Sequence, residues 1–279
     1  LNREINILKK IDKKINEIEF FIADELEIHS FRNEIASMEH PFFALKGGDK
    51  NIRKYINGNI NITIKPTVDG IATIFDKDIW IYAISKLQEA MNYGLIISRT
   101  VYFTPYNFFL TTSRNTSGRS YSELRKTLSR LKGTIIETNI FYKDKQEIVG
   151  FGLIDSWRII KNTEGNFKYG MIEITLPYWL YQSLYKRKIL KISSDYFKIR
   201  KAIDRRIYEI ARKHCGNQKE FIISIEKLYL KTGSTSLLKM FRHNIKQLAK
   251  KNNLPEYNIY FNLIKDQVLF QNKKSLSLN

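Results

Sequence analysis

Apolar side chains along this chain recur with two periods, and the period changes from segment to segment. In "LKMFRHNIKQLAKK", Leu238, Phe241, Ile245 and Leu248 follow at spacings of three and four, which predicts a helix with one buried stripe. The same spacing joins Leu124, Leu128 and Leu131 in "RSYSELRKTLSRLKG", with Gly133 as its stop. "DKDIWIYAISKLQEAMNYG" reads as a further helix, with Asp76 as N-cap and Gly94 as its end. "PYNFFLTT" is a short helix opened by Pro105. Period two takes over in "IRKYINGNINITIK", where Asn57-Gly58 between alternating segments predicts a hairpin. "RTVYFT" and "EFIIS" read as short strands. Near the start, Leu8, Ile11, Ile15, Ile18 and Ile22 make a heptad seam of little more than two repeats. That is short for a coiled coil, so residues 1–37 are expected to form a helical arm docked on the body or on a partner subunit.

The order of these elements is informative. Helix, short strand, helix, Ser/Asn/Gly-rich turn, helix and β-hairpin is the order of a winged helix. "TIIETNIFYKDKQEIVGFGLIDSWRII" supplies the hairpin as two extended segments with a polar "KDKQE" tip. The order then returns as "DRRIYEIARKHCG", "EFIIS", "IEKLYLKTG", an "STS" turn, the helix from Leu238, and "YNIYFNLI" with "QVLFQ" as a second hairpin. Details recur as well. Asp78, Ile81, Tyr82, Ile84 and Lys86 correspond to Asp204, Ile207, Tyr208, Ile210 and Arg212, and Leu124, Leu128 and Leu131 to Phe241, Ile245 and Leu248. An internal repeat of this kind predicts an α+β chain of two tandem winged-helix domains. The expected bounds are 1–37 for the arm, 38–164 for the first domain and 165–279 for the second.

Charge decides what such a fold would meet. Lys and Arg outnumber Asp and Glu by 47 to 28, a formal charge of +19 with pI near 9.7. An excess of that size favours a polyanionic partner. On the helix from Leu238 it is concentrated on one side: Lys239, His243, Lys246 and Lys250 lie opposite the apolar stripe. A lysine face usually does no more than face water. Here the basic face occurs twice, each time on the second helix of a helix-turn-helix, the one that enters the major groove. The first copy would present Ser122, Lys126 and Ser129, flanked by Arg119, Arg125 and Arg130. Arg125 and Arg242 are placed for bidentate contacts to guanine, with Gln247 and Asn244 as further base readers. Lys126, Lys239, Lys246 and Lys250 suit phosphates, and the wing tips offer Lys143, Lys145 and Lys265.

Enzyme chemistry finds little footing. A nickase that cuts a strand through a tyrosine needs a His-x-His metal site, and the four histidines, His29, His40, His214 and His243, are scattered. No phosphate-binding Gly-x-x-x-x-Gly-Lys-Ser/Thr loop occurs. His214 and Cys215 are adjacent, so they do not face one another on a helix. Neither a metal nor a cofactor is expected. With a single cysteine, no membrane-length apolar run and no apolar signal core in the first residues, a cytoplasmic protein without a membrane partner is expected.

Several strings, "MEHPFFAL", "ATIFDKDIWIYAISKL", "TSGRSYSELRKTLSRLKGT", "GFGLIDSW" and "RRIYEIARKHCG", resemble the replication initiator protein A family of bacterial plasmids. The resemblance runs from Met38 to the second hairpin. It implies a plasmid initiator that binds repeated duplex sites, iterons, at the plasmid origin and opens it together with the host initiator. It further implies recruitment of the replicative helicase, dimers that repress the protein's own gene, and a dimer contact in the first unit, for which the "IRKYINGNINITIK" hairpin is the candidate. A plasmid transcriptional regulator on an inverted-repeat operator is the alternative, since both need only site-specific duplex binding.

Overall fold

The computed structural model describes residues 20–140, 147–160 and 170–276. The chain runs from β1 (Phe21–Ile22) through β2 (Arg32–Glu34), helix α1 (Ile35–Glu39) and the hairpin β3 (Arg53–Asn57) and β4 (Ile60–Lys65) to the long helix α2 (Asp78–Asn92). Then come β5 (Thr100–Phe103), α3 (Pro105–Thr111), α4 (Gly118–Gly133), and four strands: β6 (Ile135–Thr138), β7 (Val149–Gly152), β8 (Ser156–Ile160) and β9 (Met171–Thr175). α5 (Tyr178–Tyr185) and β10 (Ile189–Lys191) lead into the second unit. That unit is α6 (Ala202–His214), β11 (Glu220–Ser224), α7 (Ile225–Thr232), α8 (Leu238–Lys251), β12 (Tyr257–Asn262) and β13 (Gln267–Asn272).

The two passes fold alike. In the second unit the sheet order is β11-β13-β12, all antiparallel, with β12 and β13 as the wing. In the first unit β5, β9 and β8 pair in the same order and sense. The wing of the first unit is therefore the β8–β9 hairpin. The pair β6–β7, expected as that wing, is instead an insertion. It joins the β3–β4 hairpin in a separate sheet of order β3-β4-β6-β7. The predicted Asn57-Gly58 turn is present, with Gly58 at φ +58°. This arrangement corrects the domain boundary, because residue 165 lies between β8 and β9, whose strands pair. The hydrophobic clusters change over later: Leu184 packs with the first and Ile192 with the second.

The expected arm is corrected in its second half. Phe21 and Ile22 pair in parallel with Val101 and Tyr102, and β2 pairs antiparallel with β10. Residues 20–37 are thus part of the body. Of the heptad seam, Leu8, Ile11, Ile15 and Ile18 lie outside the described residues, and Ile22 is in a strand. Asp76 also departs from expectation. The residue before α2 is Lys77, with no side-chain cap, while Asp76 accepts the Thr73 N–H at 2.7 Å and the Thr127 hydroxyl at 2.8 Å.

A buried ionic network joins the units. Lys77 and Glu209, 0% and 1% exposed, meet at 2.8 Å, and the same carboxylate accepts from Asn33, Tyr196 and Arg206, each at 3.0 Å. Beside them Asp78 accepts from Arg205 at 2.6 Å and Arg114 at 2.8 Å. Arg206 also donates to the carbonyls of Ser37 and Met38. Charges this deep are tolerable only when paired and hydrogen-bonded. Burial alone would raise the Glu209 carboxyl, but Lys77 and Arg206 hold it below its ordinary value. At the rim, Glu39 pairs with Lys213, His214 and Lys231. Gly233, at φ +66°, packs against Pro41, where an added Cβ would lie 2.6 Å from the proline ring.

His40, beside Glu39, carries a testable consequence. Its Nδ1 has no partner among the described residues, and burial pushes its pKa down to about 4, with Lys231, Arg206 and Lys213 adding to the effect and Glu39 opposing it. The folded value lies below the ordinary one. Between about pH 6.5 and 4 the unfolded chain therefore takes a proton that the folded chain refuses, and stability falls as pH falls through that window. The loss amounts to roughly 3 kcal/mol at the acid end. His40→Phe is expected to shrink the difference in melting temperature between pH 7 and pH 5, measured by circular dichroism.

Candidate nucleic-acid interface

α8 is held by its apolar stripe: Phe241, Ile245 and Leu248 are buried against the second core, worth roughly 1.5–3 kcal/mol each. With that side fixed, Lys239, His243, Asn244, Gln247 and Lys250 are exposed and Lys246 is half-buried. The Lys246 ammonium lies over the Phe261 ring, 5.3 Å from its centroid, which draws it toward the wing. The turn before α8 is closed internally. Tyr229 donates to the Ser236 carbonyl at 2.7 Å, the Ser234 and Ser236 hydroxyls are 2.9 Å apart, and Thr232 is buried with its hydroxyl on the Tyr229 carbonyl. Asn252, at φ +48°, ends the helix and accepts the Ile259 N–H at 2.7 Å, fixing the start of the wing.

Arg242 is not free. Its guanidinium donates to both oxygens of Asp266 in the wing turn, at 2.9 and 2.7 Å, and this hydrogen bonding raises its pKa while holding Asp266 below the ordinary carboxylate value. The fork expected to meet guanine is taken up by the wing. A base contact would require Arg242 to exchange or share its carboxylate. Asp266 is the site residue that the helical pattern could not supply, because it lies beyond the helix and reaches Arg242 only through the β12–β13 turn.

The equivalent face of α4 is less uniformly basic. Leu124, Thr127, Leu128 and Leu131 are buried, and Arg119, Ser122, Arg125 and Lys126 are exposed. Ser129 is half-buried. Arg125 stands where Arg242 stands on α8. Lys126 pairs with Glu123 at 3.0 Å, an i, i+3 contact readable from sequence. Arg130 is corrected out of the exposed set. It is 15% exposed and donates to both oxygens of Asp76, at 2.9 and 2.8 Å, so it fastens α4 to the start of α2. Arg130→Met is expected to lower stability by about 1–3 kcal/mol, from the unpaired Asp76 carboxylate, and to leave duplex affinity unchanged. Urea unfolding and a gel shift on the same sample check both halves.

Of the wing residues, Lys265 is exposed at the β12–β13 tip. Lys143 and Lys145 lie outside the described residues. The tempting His214-Cys215 pair is separated, His214 reaching Glu39 at 3.3 Å while the buried Cys215 thiol points to the Gln218 carbonyl. No helix among the described residues is long and apolar enough to cross a membrane.

The two units thus each carry a helix with an exposed basic face, α4 and α8, in the second position of a helix-turn-helix. The chain matches the replication initiator protein A family over residues 32–259 and belongs to that family. It is 66% identical over 272 residues to the "Putative replication protein" of Wigglesworthia glossinidia brevipalpis, covering 97% of this chain and 98% of that one. The fold is also that of domains 2 and 3 of RctB. One crystal structure of those domains aligns with TM-score 0.56 over 87% of this chain and 98% of its own, and a selenomethionine form with 0.60 over 85% and 96%, both at 10% identity. The role that follows from family membership is that of a replication initiator.

Proposed function

We propose that this initiator binds repeated duplex sites at a plasmid origin, with α8 and α4 entering major grooves and the wings reaching the flanking backbone or minor groove. The observation that carries it is the repetition of one surface. Leu124, Leu128 and Leu131 seat α4 as Phe241, Ile245 and Leu248 seat α8. In both places the opposite side is exposed and basic. Solvation alone has no reason to give the same helix of both units a basic front.

In this reading Lys239, Lys246, Lys250 and Lys126 hold phosphates, while Arg125, Gln247 and Asn244 read base edges. Arg242 reads only by sharing its guanidinium, its remaining N–H groups meeting a base while Asp266 keeps the other two bonds. His243 and Ser122 sit on the exposed fronts beside them. Arg125→Ala is expected to relax sequence preference at one position, at a cost of roughly 1–3 kcal/mol against the preferred base. Binding-site selection from a random pool checks it; an unchanged consensus would contradict it.

Several bound copies would share the cost of bending an AT-rich stretch, of order 1–6 kcal/mol per site by elastic estimates, and so open the origin together with the host initiator. Helicase recruitment, self-association through the β3–β4 hairpin and repression of the protein's own gene complete the proposal. Permanganate reactivity at the origin, with and without the host initiator, tests opening. Protection of a single inverted repeat at the gene's own promoter, with no repeats protected at the origin, would favour a transcriptional regulator instead.

A further inference from the structure

The tip of the second wing is apolar where its surroundings are charged. Ile264 is 97% exposed, the most exposed large apolar side chain among the described residues, and its neighbour Leu263 is 69% exposed. They sit between Asn262 and Lys265, and Asp266 closes the turn. The tip is firmly held. Asn262 and Gln267 form the last pair of the hairpin, and the Asn262 side-chain oxygen accepts the N–H groups of Ile264 and Lys265, each at 3.0 Å. The Asp266 carbonyl accepts the Ile225 N–H at 2.9 Å, and its carboxylate carries the two bonds from Arg242. Leu263 and Ile264 are therefore presented at a fixed place beside α8, with Lys265 next to them and Lys246 behind.

Exposing two large aliphatic side chains on a rigid turn costs solubility and adds nothing to the core. Two residues are also too few for a protein interface, which takes about 800 Å² per partner. They match another use. Proteins that deform duplex DNA insert Leu, Ile, Met or Phe between base steps from the minor groove, and basic side chains alongside hold the phosphates. We propose that the second wing enters the minor groove flanking the major groove occupied by α8, and that Ile264, with Leu263 beside it, wedges into one base step there. The favoured step is a flexible pyrimidine–purine step such as TA, the least costly to unstack. The Arg242–Asp266 pair is then a strut, setting the wedge at a fixed distance from the helix that reads the neighbouring groove. The proposal rests on duplex binding by α8, and supplies a local source for the distortion that origin opening requires.

The test uses the full chain and a duplex of repeats from its own origin, with 2-aminopurine placed at successive positions around each repeat. Wild type and the double variant Leu263→Ser/Ile264→Ser are compared by fluorescence, by circular-permutation bending and by affinity. Both changes are on exposed side chains, so the variant is expected to keep its melting temperature and to bind within about tenfold of wild type. The expected result is a several-fold rise in fluorescence at one step with wild type, lost in the variant together with most of the bend. A variant that unstacks and bends as wild type does would overturn the wedge and leave the tip facing a protein partner. Wild type that binds the repeats without unstacking any step would overturn the wedge alone. Wild type that binds no duplex would overturn the wedge and the function proposed for α8 together.

Discussion

Glu209→Gln is expected to lower the melting temperature by on the order of 10 °C. The carboxylate is 1% exposed and accepts from Lys77, Asn33, Tyr196 and Arg206. Glutamine keeps the shape but removes the negative charge that Lys77 and Arg206 face. Removing one partner of a buried pair costs about 3–5 kcal/mol, because the remaining charge is stranded. For a chain of this size each kcal/mol shifts the midpoint by roughly 2–4 °C. Lys77→Met should cost less, since Arg206 still balances Glu209. The consequence reaches function. Lys77 precedes the first helix of one unit and Glu209 lies on the first helix of the other, so the pair fixes the two units to each other. A variant whose units separate should lose the advantage of binding both half-sites at once before either unit loses its own fold. Thermal unfolding followed by circular dichroism reads the first effect; a midpoint unmoved in Glu209→Gln would contradict the weight given to this network.

The triple change of Lys239, Lys246 and Lys250 to Ala is the second large effect expected, and it spares the fold. Lys239 and Lys250 are exposed, and Lys246 contributes its ring contact with Phe261, about 0.5–1 kcal/mol, and an attraction to the nearby Asp266 carboxylate. If each lysine neutralises one phosphate, the slope of log affinity against log salt becomes shallower by about 2.7. The affinity lost between 50 and 200 mM salt would then shrink by about forty-fold. Sequence preference should survive, because phosphate contacts position without specifying. A salt titration by fluorescence anisotropy decides it. An unchanged slope would mean that the front of α8 never meets the backbone.

Helices and strands were legible in the sequence because each element declares its own period. Phe241, Ile245 and Leu248 mark one face of α8 without any knowledge of what covers them, and the repeat of Leu124, Leu128 and Leu131 carried the fold from one unit to the other. Pairing between strands was less legible, since alternation says which face is buried and not which strand lies alongside. Strand β6 follows α4 just as β12 follows α8, so it reads as a wing; only its pairing with β4 reveals an insertion. The boundary between units is obscured for the same reason, since the stretch after β8 reads as a polar linker although β8 pairs with β9. Charge was legible as a total and as a face, but its occupancy was not. Arg130 and Arg242 look equally available on a helical projection, yet Asp76 and Asp266 approach them from distant parts of the chain. The ionic pairs between units were hidden as well. Lys77, Asp78, Arg205 and Glu209 have the composition of a solvated helix surface and become a core feature only when the units meet.

Two winged helices are expected to read repeated duplex sites together. Footprinting the purified chain on its own plasmid's origin over a range of salt tests it most directly. Protection of regularly spaced direct repeats with a steep salt slope is expected, with weakened protection at every repeat in the α8 lysine variant. Sequence-blind coating of the fragment, equal inside and outside the repeats, would contradict it and leave the basic faces of α4 and α8 as a general polyanion surface.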